Sequence, residues 1–237
     1  MDSLSGVGVV DKSVAILAAL AERGPLPLAG LVEATGIARP TAHRLAAALE
    51  AHGLARRDDA GRWALGIRLA AWGAAAAGAG LVEAARPALE RLRDQTGESA
   101  QLFVREGDRR VCVASLDRRQ GGLRNTVPVG AALPLDRGSG GKVLLAWAAD
   151  AGRFRGVPAD ELVAIRARGW AASVGEREPG VASVSAPVLE RDDRILASIS
   201  LSGPIDRLGR EPGTRYAAAV VDAARGVARA AGLRPPA

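Results

Sequence analysis

The sequence GIARPTAHRLAAAL occupies positions 36–49 and places a turn glycine before a helix with apolar residues on one side. Gly36 supplies the backbone freedom for a tight corner, and Pro40 fits the first turn of a helix, where its missing N–H costs nothing. Leu45 and Leu49 recur at helical spacing and predict a buried stripe. The stretch therefore predicts the corner and the third helix of a helix-turn-helix.

The flanking sequence predicts two more helices and a hairpin. Asp11 is a suitable N-cap for the first helix, and the turn Asp58-Asp59-Ala60-Gly61 separates two short apolar runs. The predicted elements are helices over 11–23 and 28–35 and strands over 54–57 and 62–65. Three helices followed by a hairpin predict a winged helix-turn-helix within residues 1–66.

The sequence changes character after residue 66. Residues 67–83 are rich in alanine and predict a linker helix that kinks into the first helix of a second domain, residues 84–237. Trp63 and Trp72 flank this hinge, and we interpret them as packing anchors. Further strands are predicted near 102–104, 111–114, 123–127, 170–174, 181–187 and 195–201, and further helices near 81–95, 139–149, 159–168 and 215–231. The fold class is therefore α+β, with a mostly antiparallel sheet flanked by helices in the second domain.

Composition excludes several classes of protein. The 237 residues are 48% hydrophobic and 24% charged, which is typical of a soluble globular protein. The longest uncharged run, 69–82, is too short to cross a bilayer, and the first residues do not resemble a secretory leader, so we expect a cytoplasmic protein. The net charge is +6, but residues 1–66 contain seven basic and seven acidic residues. DNA binding must therefore be argued from local placement of charge.

The candidate DNA contacts lie at the start of the third helix and in the hairpin. Arginine can pair bidentately with guanine, and threonine can contact a phosphate or a thymine methyl group. Arginines in the hairpin can contact phosphates, although beside two aspartates they can also form a half-neutralised turn. The candidates are Arg39, Pro40, Thr41, His43 and Arg44 in the helix and Arg56, Arg57 and Arg62 in the hairpin.

One motif suggests an enzyme. Ser139-Gly140-Gly141-Lys142 matches the Ser-x-x-Lys of acyl-serine enzymes, but the chain has no Ser-Asp-Asn or Lys-Thr-Gly to accompany it. Nor is it a phosphate-binding P-loop, because Asp136 and Val143 stand where glycine and Ser or Thr are required. We interpret the stretch as a glycine-rich turn whose backbone N–H groups hold an anion such as a carboxylate. The alternative is a tight turn needed only for packing.

The other chemical groups are few. Ser200 and Ser202 alternate with apolar residues, so their hydroxyls share one face of a strand and suit a small polar ligand. Both histidines, His43 and His52, lie in the first domain, and the single cysteine leaves no Cys/His zinc site. We therefore predict no catalytic residue, no metal and no cofactor.

Six blocks of the sequence, in order, resemble the IclR family of bacterial transcriptional regulators. They are VVDKSVAIL (9–17), RPTAHRL (39–45), GRWALG (61–66), GSGGK (138–142), EPGVAS (178–183) and SLSGP (200–204). The segment between Trp147 and Ala164 is shorter than the family pattern, which affects how one side of the second domain is built.

The resemblance implies an N-terminal DNA-binding domain, a dimerising linker helix and a C-terminal, GAF-like effector-binding domain. Members of the family form homodimers or dimers of dimers, and they act as repressors or activators. The partners implied are an operator in double-stranded DNA, a small organic-acid effector and a second copy of the chain. The effector-binding candidates are Ser139, Gly140, Gly141, Ala182, Ser183, Ser200 and Ser202. A small-ligand-binding protein or enzyme whose N-terminal domain serves assembly is the alternative.

Overall fold

The structure is a computed structural model that describes residues 7–76, 80–121, 127–190 and 192–232. The chain divides into two compact units, residues 1–76 and residues 77–237, called the first and second unit below. The separate linker segment 67–83 stays a prediction. None of the described helices combines the length and the apolar character that a membrane span needs.

The first unit contains the predicted helices and hairpin. Its elements are α1 (Gly8–Arg23), α2 (Leu28–Thr35), α3 (Arg39–Ala51), β1 (Ala55–Arg57), β2 (Trp63–Leu65) and α4 (Arg68–Ala76). α1 begins before the predicted cap Asp11, whose carboxylate therefore lies in the first turn, where the helix dipole favours a negative charge. Gly36 ends α2 with a φ of 67° and turns the chain toward α3, as the sequence predicted.

The core of the first unit forms around Trp63, which is 1% exposed. Apolar side chains of α1, α2 and α3, such as Ile16, Leu31 and Leu45, belong to the same cluster. The backbone N–H and C=O of Trp63 both pair with Leu26 at 2.8 Å, which joins β2 to the segment between α1 and α2. Trp63 is a packing anchor as predicted. Trp72 is 54% exposed within the described residues, so the same interpretation was wrong for it.

The second unit is built on a six-stranded antiparallel sheet. The strand order is β5–β4–β3–β8–β7–β6, and every pairing is antiparallel. The strands are β3 (Ser99–Glu106), β4 (Arg109–Leu116), β5 (Ala132–Pro134), β6 (Ala171–Val174), β7 (Val181–Leu189) and β8 (Ile195–Pro204). The three-residue β5 was not predicted. Of the strand predicted over 123–127, residues 123–126 lie outside the described residues, and Val127 is in no strand.

Helices cover both faces of the sheet. They are α5 (Leu81–Thr96), α6 (Ser139–Ala146), α7 (Ala159–Arg168), α8 (Ile205–Leu208) and α9 (Pro212–Ala230). α5 and α9 pack on one face in an apolar cluster that includes Leu102 and Ile199 of the sheet. α6 and α7 pack on the other face in a second cluster that includes Phe103 and Cys112. The α+β architecture agrees with the prediction.

Candidate DNA interface and ligand pocket

α3 presents its candidate residues as the sequence predicted. Ala42, Leu45, Ala46 and Leu49 are buried against the core, and the opposite face is open. Arg39, Pro40, His43 and Arg44 are exposed, and Thr41 is half-buried. The edge of the His43 ring faces Trp63, with 6.4 Å between ring centroids, so His43 also contributes to packing. Arg39, Thr41 and Arg44 thus lie together at the N-terminal end of an exposed helix, where recognition helices contact bases.

The three arginines of the hairpin have different surroundings. Arg57 stacks over the Trp63 ring at 4.1 Å, and its Nε lies 3.8 Å from Glu50. Arg62 donates from Nε to Oδ2 of Asp58 at 2.8 Å, and its Nη2 also lies 2.8 Å from that oxygen. Arg56 is exposed, and the described residues offer it no ion pair.

Asp58 organises this turn. Its Oδ1 accepts the backbone N–H groups of Ala60 and Arg62 at 3.1 and 2.8 Å. The pKa of Asp58 is lowered, chiefly because the carboxylate accepts the backbone N–H of Arg62, and the Arg62 guanidinium lowers it further. The carboxylate therefore stays ionised and holds Arg62 in a local pair. Of the three arginines, Arg56 is the one whose guanidinium is available for a phosphate.

The second site lies between α6 and one face of the sheet, where serine hydroxyls form a continuous chain. Ser173 bonds to Ser183 at 2.9 Å, and Ser183 bonds to Ser139 at 2.6 Å. Ser139 then bonds to Ser185 at 2.7 Å, and Ser185 bonds to Ser200 at 2.6 Å. The residues belong to β6, β7, β8 and the start of α6, so the chain of hydroxyls crosses three strands. These contacts form the polar base of a pocket.

The pocket brings together most of the predicted effector-binding residues. Ser139, Gly140, Ser183, Ser200 and Ser202 line it, and its volume is about 30 Å³. Such a volume holds about two or three water-sized groups. A larger ligand therefore needs the side chains of the wall to move apart.

Two predicted residues lie elsewhere. The side chain of Ala182 belongs to the apolar cluster beneath α5 and α9, because successive residues of β7 point to opposite faces of the sheet. Gly141 is behind the pocket, where a Cβ atom would stand 2.1 Å from the carbonyl oxygen of Leu135. Gly141 is thus required for close packing. Neither residue is part of the pocket lining.

The start of α6 is the predicted anion site. The backbone N–H of Gly138, the residue before α6, donates to Oε2 of Glu176 at 3.0 Å, so a carboxylate of the protein occupies this one N–H. Oε1 of Glu176 accepts from Nζ of Lys142 at 2.5 Å, and Glu161 accepts from the same Nζ at 2.8 Å. The Gly138 N–H therefore holds an anion of the protein itself, and an anion site at the backbone N–H groups of Ser139, Gly140 and Gly141 stays a prediction.

Lys142 has no role as a general base in this arrangement. Burial alone would lower its pKa, but the hydrogen bonds to Glu161 and Glu176 raise the pKa above its ordinary value. The lysine is therefore protonated at neutral pH, and its ammonium group is bonded to carboxylates. Ser139 is bonded to other serines instead. Ser139 and Lys142 thus bond to other described residues and not to each other.

Sequence reasoning missed several residues of the lining, among them Gln101 and Phe103 on β3 and Arg110 on β4. Arg110 is 4% exposed, and its guanidinium lies over the Phe103 ring at 5.2 Å. A signal was present in the sequence, because Arg110 stands two residues before the buried Cys112 on the same strand. A charged residue on the core-facing side of a strand indicates a buried polar site.

Family models match both units. A model of the IclR helix-turn-helix domain matches residues 9–59, and a model of the C-terminal domain of the bacterial transcriptional regulator IclR matches residues 73–153 and 159–229. The C-terminal model leaves out residues 154–158, which lie between Trp147 and Ala164, and the expected shortness of that segment stays a prediction.

Individual proteins give the same result. The HTH-type transcriptional regulator BhcR of Paracoccus denitrificans is 32% identical over 240 residues, which cover 93% of this chain and 86% of that protein. The crystal structure of an IclR transcriptional regulator from Alicyclobacillus acidocaldarius is 25% identical, with a TM-score of 0.70 and coverage of 95% of this chain and 99% of that one.

A third comparison concerns the fold alone. An IclR homologue from Microbacterium hydrocarbonoxydans, crystallised with 4-hydroxybenzoate, is 21% identical, with a TM-score of 0.70 and coverage of 94% of this chain and 98% of that one. The matches extend over both units and include a relative above 30% identity. The chain therefore belongs to the IclR family of bacterial transcriptional regulators.

Proposed function

We propose that this protein controls an operon from the cytoplasm by binding an operator through α3, and that a small organic acid in the pocket of the second unit regulates this binding. The observation that carries the proposal is the exposed cluster of Arg39, Thr41 and Arg44 at the N-terminal end of α3. The 4-hydroxybenzoate bound by the homologue is itself an organic acid, which supports an effector of this class.

The absence of net charge in the DNA-binding segment is an argument for self-association. Residues 1–66 carry no net charge, so one copy gains little non-specific attraction from DNA phosphates. Two linked copies double the contacts and raise the affinity without any new kind of contact. We therefore propose a homodimer, or a dimer of such dimers, as the DNA-binding form.

Arg44→Ala is expected to weaken binding to the operator by about tenfold or more, because a bidentate arginine contributes about 1–3 kcal/mol of base discrimination. The measurement is fluorescence anisotropy with DNA from upstream of the protein's own gene and with a scrambled duplex, at two salt concentrations. Arg23→Ala is the matched control, since Arg23 is an exposed arginine at the far end of α1. Equal binding of wild type to both duplexes contradicts the regulator proposal.

Arg56→Ala and Arg62→Ala are expected to differ. Arg56 is available to a phosphate, so its loss weakens binding to all DNA sequences and reduces the slope of log K against log salt by about one per bound copy. Arg62 is held by Asp58 and its loss changes the slope less. Salt titrations of the two variants against wild type test this. A larger change in slope for Arg62→Ala contradicts the assignment.

A further inference from the structure

Arg110 is a buried cation with few partners. The side chain is 4% exposed. Among the described residues, its guanidinium donates hydrogen bonds only from Nη1, which contacts the carbonyl oxygens of Arg137 at 2.6 Å and Gly138 at 3.4 Å. Its Nε is buried and has no acceptor among the described residues. Burial lowers the pKa of Arg110 to about 10, and repulsion from Arg177 adds to this effect while Glu176 opposes it. The side chain remains charged at neutral pH.

Each of the other buried cations of the described residues has a carboxylate partner or donates from all three guanidinium nitrogens, although Nη2 of Arg93 is also buried without a partner there. Lys142 bonds to two carboxylates, and Arg93 pairs with Asp94 at 2.8 Å. Arg118 donates from Nε, Nη1 and Nη2 to two backbone carbonyl oxygens and one side-chain amide oxygen, all uncharged. Arg110 has neither a carboxylate nor a complete set of acceptors. Since buried charges in proteins are normally paired and hydrogen-bonded, this position indicates a negative partner that the described residues do not supply.

The surroundings of Arg110 define what that partner can be. Arg177 and Glu178, the other charged residues that the structure describes in the lining, pair with each other at 3.2 Å, so Arg110 leaves this described lining with a net positive charge. Gln101 offers a second donor, because its Nε2 is buried with no partner in the described part of the chain while its Oε1 accepts from Ser202. Phe103 and Leu133 supply apolar surface in the same lining.

We propose that Arg110 is the counter-charge for the carboxylate of the effector, with the amide of Gln101 as a second donor, and that the ligand is a small monocarboxylate whose apolar part lies against Phe103. The proposal rests on the effector-binding function proposed above. It gives the negative charge a side-chain partner beside the N-terminus of α6, where the Gly138 N–H is already bonded to Glu176. It also predicts that the pocket distinguishes an acid from a neutral molecule of the same shape.

The test compares acids with their amides. Thermal unfolding of the full chain is measured with propionate against propionamide and with benzoate against benzamide, at constant ionic strength. A ligand that binds only the folded state raises Tm as its concentration rises. We expect at least one acid to raise Tm in this way and its amide to have little effect. Equal shifts by acid and amide in both pairs, or no shift in any case, overturn the proposal.

Variants identify the residue responsible. Arg110→Gln is expected to weaken the binding of that acid by roughly 10- to 100-fold, the range for hydrogen bonds to a charged group. Without added acid this variant is expected to keep the Tm of wild type, because it removes an uncompensated buried charge. Arg110→Lys keeps the charge and is expected to retain most of the response. Arg118→Gln, a buried arginine bonded to neutral oxygens, is the control that keeps the full response.

Each outcome decides the question. If Arg110→Gln does not fold, the guanidinium is assigned to packing and the proposal is overturned. The proposal is also overturned if the acid raises the Tm of Arg110→Gln as much as that of wild type. The operator assay is independent of these measurements. If the wild type does not bind its operator specifically, the proposed function is contradicted. If it binds the operator but no acid raises its Tm, the role of Arg110 alone is contradicted.

Discussion

Trp63→Ala is expected to destabilise the first unit strongly and to weaken DNA binding. Trp63 is 1% exposed, lies at the centre of the cluster formed by α1, α2 and α3, and is stacked by Arg57. Truncation of a buried tryptophan to alanine costs about 3–5 kcal/mol. A compact unit of this size has a free energy of unfolding of roughly 4–11 kcal/mol. The substitution therefore removes a large part of its stability.

Hydrogen–deuterium exchange measured by mass spectrometry separates the two units in this experiment. We expect peptides from residues 8–65 to lose protection in Trp63→Ala, while those from β3, β7 and β8 keep it. Trp72→Ala is the matched control, since that side chain is 54% exposed and its loss is expected to leave protection unchanged. Retained protection in α3 of Trp63→Ala contradicts the central role of Trp63.

Lys142→Met is expected to destabilise the second unit by about 3 kcal/mol. The side chain of Lys142 is 9% exposed and joins Glu161 of α7 to Glu176 of the segment after β6. Its removal leaves two carboxylates, each about one third exposed, without their cation. The expected loss lies at the lower end of the range for buried pairs because water partly screens both carboxylates.

Urea unfolding of Lys142→Met and wild type measures this loss. The triple variant Lys142→Met, Glu161→Gln, Glu176→Gln is expected to recover part of the stability, because it removes the stranded charges and keeps the oxygen that accepts from Gly138. Lys12→Met, a change at the other lysine, which is exposed on α1, is the control. A triple variant less stable than Lys142→Met indicates that the carboxylates stabilise the unit by another route.

Most helices could be predicted from sequence because their apolar periodicity and their end signals agree. The corner at Gly36 and the buried stripe of α3 are examples. The strands β3 and β4 were predicted too short for a physical reason. Polar residues such as Gln101 and Arg110 interrupt the apolar pattern of these strands. Both residues nevertheless belong to the strands, and their side chains line the pocket.

The candidate pocket was predictable in part. Alternation along a strand identified Ser200 and Ser202, and the same rule applied to β7 separates Ser183 and Ser185 from Ala182. The role of Glu176 could not be found in this way, because it depends on a contact between residues 38 positions apart in the sequence. Contacts between side chains that are distant in sequence depend on the register of the whole sheet, and no local pattern in the sequence reveals them.

The chain of five serines has a consequence for selectivity. Each link joins two hydroxyls, and either oxygen can be the donor. The whole row can therefore reverse its polarity, so that Ser200 offers either a proton or a lone pair at its end of the row. Such a surface is amphoteric and accepts alcohols, ketones and acids alike. Under the role proposed for Arg110, discrimination between charged and neutral effectors comes from that residue and not from the serines.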